Sequence, residues 1–427
     1  MIVPDLVRVA VVAVGDELLL GDVLNGNLAW LGSTLADAGT PVVRGYEVGD
    51  AITDIVATLR SALAVADAVV VTGGLGPTSD DRTRDALAEL AGVALVRDPA
   101  LEQVIGGWYE RLGRTAPDNV WQQADVPVGA WSIPNPTGTA PGLALEVDGR
   151  LVFAVPGVPA ELRGMVTATV VPALRERAGD PPPVVTRQLR VALLGESLVA
   201  TRLAPLEAEL AAPGERDGTA TVALSYLGSL GEVRVRFSGT TPGLLDELAD
   251  RAASLLGDVV SGRDGETLPA TVLRLLVEQG ATVAVAESLT GGALASALVD
   301  VAGASLAFRG AVVAYSTELK AALLGVAADL LARGGPVQPE VAVAMAAGVR
   351  TRLGADFGIG TTGVAGPDPQ DGVAPGTVHV AVVGPGPGDV RAVALHVPGD
   401  RDRVRRLAVV HGLDLLRRAL LHREQPV

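Results

Sequence analysis

Short apolar runs rich in β-branched residues alternate with stretches of helical periodicity in the first part of the sequence. Residues 7–14, 68–72 and 151–155 are such runs, and residues 81–90 have the pattern of a helix. This alternation is typical of βαβ units, in which crossover helices join parallel strands. It predicts an α/β fold with a parallel sheet.

The last part of the sequence returns to the same alternation. Predicted strands cover residues 282–286, 311–315, 356–360 and 378–383, and a long closing helix runs from about residue 401 to 421. The intervening part has a predicted order of strand, helix, two strands and helix, at 186–193, 197–210, 219–226, 232–238 and 244–256. We therefore expect a second α/β fold at the end of the chain and a small α+β module in the middle.

Two loop-like stretches divide the sequence. The first contains three consecutive prolines, at 181–183, which cannot continue a helix, and the second is the glycine-containing stretch 261–265. A chain of 427 residues is also too long for one hydrophobic core, because single cores stop growing at roughly 250–300 residues. We predict three domains, at residues 1–178, 184–262 and 266–427.

Charge and residue usage exclude several classes of function. The formal net charge of −15 repels phosphate backbones, so nucleic acid is not expected as the main ligand. Cysteine is absent, which excludes disulfides and thiol catalysis, and the first histidine is His379. No uninterrupted apolar run reaches the roughly 18 residues of a membrane span. We expect a soluble, cytoplasmic protein with no membrane partner, whose first 378 residues contain no histidine base and no Cys/His zinc site.

Three loops of the first block each follow a predicted strand, at residues 15–19, 72–83 and 156–161. Because the carboxyl ends of parallel strands share one edge of a sheet, we expect these loops to converge on one crevice. Their glycines let the backbone approach a ligand, and the amides that begin the helix after Thr78 can hold phosphate oxygens. The loops also carry carboxylates that suit Mg²⁺ or a similar cation: Asp16, Glu17, Asp80, Asp81 and Glu161.

Asp80 and Asp81, taken alone, are also typical of residues that cap a helix and complement its dipole. The longer strings favour a ligand site. Gly-Asp-Glu-Leu-Leu at 15–19, Gly-Gly-Leu-Gly-Pro-Thr-Ser-Asp-Asp-Arg-Thr at 73–83 and Pro-Gly-Val-Pro at 156–159 resemble the N-terminal domain of the CinA family. The resemblance implies a molybdopterin-binding-like fold with a parallel or mixed sheet.

This resemblance also implies a metal-dependent ADP-ribose pyrophosphatase. The implied cofactor is a divalent cation (Mg²⁺, Mn²⁺ or Co²⁺), with K⁺ as a further candidate, and the implied metal ligands are the five carboxylates named above. The implied phosphate contacts are Gly73, Gly74, Thr78, Thr83 and Gly157.

Lys320 is the only lysine among the 34 Lys and Arg residues of the chain. Arginine stays protonated up to about pH 12, whereas a desolvated lysine can be neutral near pH 7 and act as a base. Lys320 lies about one helical turn beyond Tyr315, which ends a predicted strand, so both side chains can face one crevice. The alternative interpretation is that Lys320 is an exposed helix position retained by chance.

Ser305 precedes the same predicted strand. A serine nucleophile needs a nearby base, and no histidine follows Ser305 before His379. A Ser–Lys pair with a tyrosine relay is the accessible alternative, and the spacing permits Ser305, Tyr315 and Lys320 to form it. Taken alone, Ser305 is also typical of a helix or turn cap.

Four strings of the last block resemble the nicotinamide-nucleotide amidase domain of the CinA family, over roughly residues 268–420. They are Ala-Glu-Ser-Leu-Thr-Gly-Gly at 286–292, Gly-Ala-Ser at 303–305, Tyr-Ser-Thr-Glu-Leu-Lys at 315–320 and Thr-Gly-Val-Ala-Gly-Pro at 362–367. The resemblance implies that Ser305 is the nucleophile and that Tyr315 and Lys320 activate it. The implied substrate-binding residues are Ser288, Thr290, Gly291, Thr362, Gly363 and Arg401, the last as a bidentate phosphate ligand.

The implied reaction is the deamidation of nicotinamide mononucleotide to nicotinate mononucleotide and ammonia, without a cofactor, in a homodimer with a KH-like middle domain. Together with ADP-ribose cleavage it would serve pyridine-nucleotide salvage. Two other functions stay open on the sequence alone. One is a non-catalytic ligand- or partner-binding protein of the competence or DNA-damage response, and the other is a pyrophosphatase with an inactive amidase domain.

Overall fold

The computed structural model describes residues 7–211 and 222–422. The chain divides into two compact units, Met1–Val185 and Thr186–Val427. None of the helices in the described ranges combines the length and the apolar character needed to cross a membrane. The α/β fold class predicted from the sequence is confirmed in both units.

The described part of the first unit, from residue 7 onward, contains eight strands and seven helices. The strands are β1 (Val9–Val14), β2 (Val42–Val48), β3 (Ala68–Thr72), β4 (Leu95–Arg97), β5 (Asp125–Pro127), β6 (Trp131–Ile133), β7 (Gly142–Val147) and β8 (Arg150–Val155). The helices are α1 (Asp16–Leu20), α2 (Gly26–Asp37), α3 (Ile52–Val65), α4 (Thr83–Ala91), α5 (Pro99–Arg111), α6 (Pro159–Met165) and α7 (Val171–Arg177), with a 3₁₀ segment at Asp118–Ala124 and a π turn at Val166–Val170.

Six of these strands form one mixed sheet in the order β2-β1-β3-β8-β7-β6. The first four are parallel to one another, and β8, β7 and β6 pair antiparallel in sequence. The predicted helix at 81–90 begins later, at Thr83, because Asp81 lies in the preceding loop. The strands β4 and β5 form a separate antiparallel pair.

The central strands of this sheet are buried on both faces, as parallel strands between helical layers are. Ala10, Val12 and Val14 pack in the core that includes α3, and Val9 and Val11 pack in the core that includes α2. Each fully buried valine side chain stabilises the fold by about 1.5–3 kcal/mol relative to an exposed one. The sheet is thus the middle of three layers, and its carboxyl edge is free for loops.

The second unit begins with a four-stranded sheet in the middle of the chain. Its strands are β9 (Val185–Ala192), β10 (Ala223–Ser229), β11 (Glu232–Gly239) and β12 (Val260–Arg263), and its helices are α8 (Glu196–Ala211) and α9 (Pro242–Leu256). The sheet order is β10-β11-β9-β12. The predicted strand at 219–226 is described from residue 222 onward, because 219–221 lie outside the described residues.

The last five strands form a second α/β sheet. They are β13 (Val283–Glu287), β14 (Phe308–Val313), β15 (Phe357–Gly363), β16 (Thr377–Val383) and β17 (Val390–His396). Their helices are α10 (Leu268–Glu278), α11 (Ala293–Val299), α12 (Thr317–Leu324), α13 (Ala328–Gly334), α14 (Pro339–Leu353) and α15 (Arg401–Leu421), with 3₁₀ turns at Gly257–Val259 and Ala304–Leu306. The sheet order is β14-β13-β15-β16-β17, with the first three strands parallel and the last two antiparallel.

The position of β14 differs from the sequence prediction. The strand was expected at 311–315 and lies at Phe308–Val313, because pairing with β13 already begins where the Val283 amide donates to the Ala307 carbonyl at 2.8 Å. Tyr315 therefore lies in the loop after the strand rather than at its end. The shift also brings the start of β14 close to Ser305.

Candidate functional site

The loops at the carboxyl ends of β13, β14 and β15 enclose a small cavity of about 120 Å³. Three of the predicted site residues that line it come from three different loops: Ser288 after β13, Tyr315 after β14 and Gly363 at the end of β15. The cavity is lined by Ser288, Leu289, Tyr315, Lys320, Pro336, Val337, Thr362, Gly363, Val364, Ala365, Gly366, Asp368, Gln370 and Arg401. A polar crevice at a shared strand edge is the usual ligand position in α/β sheets.

Lys320 lies in the wall of this cavity and is only 1% exposed. Its Nζ donates to the carbonyl oxygens of Ala314 at 2.9 Å and Tyr315 at 3.3 Å, both in the loop after β14. Burial lowers the pKa of Lys320 to about 8, and the charge of Glu318 opposes this shift. The alternative that Lys320 is an exposed helix position is therefore wrong, and its amine can be neutral just above physiological pH.

None of the four histidines, all of which lie within the described residues, lines this cavity. His379 is nearest in the sheet, since it pairs with Thr362 across β15 and β16. Burial lowers the pKa of His379, which keeps the ring neutral. Lys320 is accordingly the one side chain in the cavity wall that combines basicity with a pKa near neutrality.

Glu287 holds the loop that follows β13, a role that the sequence reasoning did not identify. This side chain is fully buried, and its carboxylate accepts hydrogen bonds from the amides of Gly292 at 2.9 Å, Leu294 at 3.1 Å and Ala295 at 2.8 Å. Arg405 of α15 holds the same loop by donating to the Leu289 and Thr290 carbonyls at 3.1 and 2.9 Å. The sequence feature that could have indicated this role is a charged residue at the end of an otherwise apolar strand, Val-Ala-Val-Ala-Glu.

The predicted substrate-binding residues fall into two groups. Ser288, Thr362, Gly363 and Arg401 line the cavity. Thr290 and Gly291 do not: the Thr290 hydroxyl lies 2.8 Å from the Thr361 hydroxyl and is fully buried, so it joins β13 to β15. The structure therefore assigns Thr290 a supporting position behind the cavity rather than a ligand contact.

Arg401 begins α15 at the exposed rim of the cavity. Its guanidinium donates to the Tyr315 hydroxyl at 3.0 Å and to the Gly366 carbonyl at 3.1 Å. Asp400 caps the same helix by accepting the Arg403 amide at 2.8 Å. A cation at this rim is in a position to meet an anionic group that extends out of the cavity.

Ser305 is not brought to Tyr315 and Lys320 within one chain, so the predicted triad is corrected. It lies in the turn Ala304–Leu306, before β14, and does not line the cavity. Tyr315 and Lys320 come after β14, so they lie beyond the carboxyl end of the strand, whereas Ser305 lies before its amino end. The strand from Phe308 to Val313 spans about 16 Å at roughly 3.3 Å per residue, and this length separates Ser305 from Tyr315 and Lys320.

The first unit has a wider crevice, of about 540 Å³, at the carboxyl ends of its parallel strands. Predicted residues that line it are Glu17, Gly73, Gly74, Asp80, Asp81, Gly157 and Glu161. Gly73 and Gly74 have φ angles of 99° and 65°, a region that favours glycine, and a Cβ on Gly73 would lie 2.3 Å from the Val14 carbonyl oxygen. The glycines are thus required for the backbone path of this loop.

The threonines predicted to contact phosphate are engaged within the loop itself. Thr83 is fully buried, and its hydroxyl donates to the Gly73 carbonyl at 2.8 Å. The amide and hydroxyl of Thr78 donate to one carboxylate oxygen of Asp81 at 2.8 and 2.5 Å, and the Gly76 amide donates to the other at 2.7 Å. Neither threonine lines the crevice. The prediction for buried Thr83 is corrected to one of loop support, whereas a phosphate contact by exposed Thr78 stays a prediction.

Asp50, which was not predicted, belongs to the same crevice. It follows β2, and its carboxylate accepts the Asp16 amide at 3.2 Å while the Asp16 carboxylate accepts the Asp50 amide at 3.2 Å. Burial raises the pKa of Asp50, and the negative charges of Asp16, Glu17 and Asp80 raise it further. This part of the crevice wall is therefore strongly negative.

Three of the five carboxylates predicted as metal ligands are hydrogen-bonded within the protein. Across residues 7–211 and 222–422 there is no group of three or more Asp, Glu, His or Cys side chains that could hold a metal ion. Glu161 accepts Asn135 Nδ2 at 2.6 Å, Asp16 is bonded to Asp50, and Asp81 is bonded to its own loop. These three carboxylates accept hydrogen bonds from protein donors, and the metal-ligand set of Asp16, Glu17, Asp80, Asp81 and Glu161 stays a prediction.

Comparison with known proteins places both crevices in matched regions. Residues 10–176 match the family described as probable molybdopterin binding domain, and residues 265–420 match the CinA C-terminal domain. A CinA-like protein from Frankia casuarinae is 48% identical over 97% of this chain and 96% of its own. The chain belongs to the CinA family.

Other CinA family members are similar over their full length. A putative competence-damage inducible protein from Symbiobacterium thermophilum is 41% identical, over 96% of this chain and 98% of its own. The crystal structure of the protein CinA with unknown function from Thermoplasma acidophilum is 34% identical and covers 41% of this chain and 99% of its own, with a TM-score of 0.37. In this CinA family chain, the middle sheet lies between the two matched regions.

Proposed function

We propose that the C-terminal cavity of this CinA family protein hydrolyses the carboxamide of nicotinamide mononucleotide. The products are nicotinate mononucleotide and ammonia. The observation that carries the proposal is Lys320, the single lysine of the chain, which is buried in the cavity wall with its pKa lowered to about 8 by burial. A neutral amine in such a place is suited to take a proton from a serine nucleophile.

The reaction proceeds by acyl transfer. The serine hydroxyl loses its proton to Lys320 and its oxygen bonds to the carboxamide carbon. The carbon–nitrogen bond then breaks, and ammonia leaves with the proton that Lys320 returns. Water, activated by the same amine, adds to the resulting ester and releases nicotinate mononucleotide and the serine. The proposed step requires no metal or redox cofactor.

The shape of the cavity fits one part of the substrate. A volume of about 120 Å³ is small beside the roughly 300–1,000 Å³ of typical ligand pockets, so it suits the carboxamide ring rather than a whole nucleotide. The ribose phosphate would extend toward the rim, where Arg401 is exposed and already donates two hydrogen bonds. Arginine binds phosphate through two parallel N–H donors, which supports this orientation.

Two serines are candidates for the nucleophile, and variants distinguish them. Ser288 lines the cavity, whereas the motif resemblance favours Ser305. We would measure ammonia and nicotinate mononucleotide from wild type, Ser288→Ala, Ser305→Ala and the control Ser296→Ala, an exposed serine on α11. We expect Ser305→Ala to abolish turnover and Ser288→Ala to raise the KM. Ser296→Ala is expected to leave turnover unchanged. A folded wild type without turnover would contradict the proposal and favour a non-catalytic binding role.

A second activity, hydrolysis of the ADP-ribose pyrophosphate bond, is proposed for the first unit. Its crevice of about 540 Å³ can hold a whole nucleotide, and Gly73, Gly74 and Gly157 bring the backbone to its surface. Because its carboxylates repel phosphate, we expect turnover to need an added divalent cation. We would assay AMP release with Mg²⁺, Mn²⁺ or Co²⁺ and with a chelator. Equal rates in all four conditions would contradict the cation requirement, and no release in any would contradict the activity.

A further inference from the structure

Ser305 and Lys320 lie at opposite ends of β14, so one chain alone does not bring them together. Ser305 precedes Phe308, the first residue of the strand, and Tyr315 follows Val313, the last. A strand of this length separates the two ends by about 16 Å. If both groups act in one deamidation, Ser305 and Lys320 must reach the same cavity. The proposed function therefore requires an arrangement that brings the two opposite ends of β14 together.

The outer edge of β14 can supply that geometry. β14 is an edge strand of its sheet. It pairs with β13 on one side, and no strand of the described residues pairs with its other side. Exposed apolar side chains lie along or beside it, namely Val299, Leu306, Val313, Tyr315 and Leu319. Between residues 304 and 317 the only charged side chain is Arg309. An edge strand with so little charge is a template for pairing with another strand.

We propose that a second copy of this chain pairs with β14 antiparallel, about a two-fold axis, and that Ser305 of each copy completes the cavity of the other. This inference rests on the proposed deamidase function. In an antiparallel pair centred on β14, between Gly310 and Ala311, residue 305 of one copy faces residue 316 of the other. Paired strands are roughly 4.8 Å apart, which brings Ser305 beside the Tyr315–Ser316 loop of the second copy.

The register is compatible with the charges of the strand. Arg309 faces Val312 of the second copy rather than the second Arg309, so no like charges are opposed directly. The same two-fold operation is applied to both copies, so the contact is closed and yields a dimer rather than a fibre. Each dimer contains two equivalent cavities, each with Lys320 from one copy and Ser305 from the other.

Disulfide trapping tests the pairing without reference to activity. The chain has no cysteine, so Ser305→Cys/Ser316→Cys introduces the only thiols. We expect mild oxidation of the full-length double variant to give a covalent dimer that reductant reverses, while each single variant stays monomeric on a denaturing gel. A disulfide within one chain is prevented, because it needs Cα atoms within about 7 Å. A monomer band alone in the oxidised double variant would overturn the proposal.

Mixing of inactive variants tests the shared site. Ser305→Ala and Lys320→Met are each expected to be inactive, and a hybrid dimer of the two retains one cavity with both groups. After joint unfolding and refolding of equal amounts, random pairing restores about one quarter of the wild-type sites. Ser305→Ala mixed with Ser305→Ala/Lys320→Met is the control without restoration. No restoration in the first mixture, with wild type refolded to full activity, would refute the shared site. Covalent dimers of the double cysteine variant, together with a wild type that lacks deamidase activity, would instead refute only the proposed function.

Discussion

The two crevices of this protein occupy equivalent positions in their sheets and differ in charge. Each lies at the carboxyl ends of parallel strands, where loops from several strands meet. The crevice of the first unit is wide and carries Glu17, Asp50 and Asp80, whereas the cavity of the second is about 120 Å³ and is walled by a buried lysine and exposed Arg401. Topology therefore fixes where a ligand can bind, and the charged side chains determine which ligand chemistry is accepted.

The difference extends to how the loops are held. In the second unit, the buried Glu287 carboxylate binds three amides of the loop after β13. In the first unit, Asp81 binds two amides and a hydroxyl of the 76–81 loop. The same device, a carboxylate that accepts backbone amides, thus stabilises both loops. In the first unit it uses a carboxylate that the sequence had suggested as a metal ligand.

The largest expected effect comes from Lys320→Arg. Arginine keeps the positive charge and cannot release its proton, so it removes the base while conserving charge. We expect deamidase kcat to fall by about 10²–10⁴-fold, the usual contribution of a general base, with ADP-ribose hydrolysis unchanged. Lys320→Met, which is similar in length and neutral, is expected to lose as much activity. If Lys320→Arg retained wild-type kcat, the contrast between the two crevices would not rest on proton transfer.

The position of Lys320 was predictable from the sequence, and that of Ser305 was not. A strand end followed by a helix start is a local pattern, and it correctly placed Lys320 about one turn into α12. The start of β14 depends on a hydrogen bond between residues far apart in sequence, from Val283 to Ala307, and on Gly310, whose φ is 139°. The periodicity of the sequence does not indicate such pairing. The strand was therefore predicted to begin three residues too late, and the position of Ser305 relative to Tyr315 was not predicted correctly.

The fold was predictable where strands are apolar on both faces. β1 and β3 are buried along their whole length and were identified. β2 exposes Arg44 and Glu47, so its pattern is weaker, and Asp50 behind it was missed. The pair β7 and β8 had a stronger signal than was used, because Asp148 and Gly149 are the Asp-Gly pair typical of a tight hairpin, with φ angles of 49° and 76°.

The pH dependence of the two activities gives the next largest contrast. The pKa of Lys320 is lowered to about 8, so below pH 8 the amine is mostly protonated and inactive as a base. Deamidase kcat/KM is expected to rise about tenfold per pH unit below pH 8 and to level off above it. Folding stability is expected to follow the same direction, since between about pH 8 and 10.5 the unfolded state binds the proton that the folded state has lost. A deamidase profile that is flat from pH 6 to 9 would exclude Lys320 as the base.

Asp50→Asn tests the negative wall of the first crevice. Burial, with added repulsion from Asp16, Glu17 and Asp80, raises the pKa of Asp50, and asparagine preserves an oxygen for the Asp16 amide. We expect ADP-ribose to bind about threefold more tightly without divalent cations, because one repulsive charge is removed. Titration calorimetry of wild type and variant measures this change. Weaker binding by the variant would mean that the Asp50 carboxylate contacts the ligand directly.

Glu318→Gln has the smallest expected effect and bears directly on the cavity of the second unit. The Glu318 charge raises the pKa of Lys320 against the effect of burial, and Glu318 is exposed, so solvent screens much of the interaction. Its removal is expected to lower the apparent pKa of the deamidase profile by about 0.3 and to raise the rate at pH 7 about twofold. Glu340→Gln is the matched control, because Glu340 lies in the first turn of α14 as Glu318 does in the first turn of α12. Equal shifts in both variants would assign the effect to overall charge, whereas a shift confined to Glu318→Gln would identify Lys320 as the group that titrates.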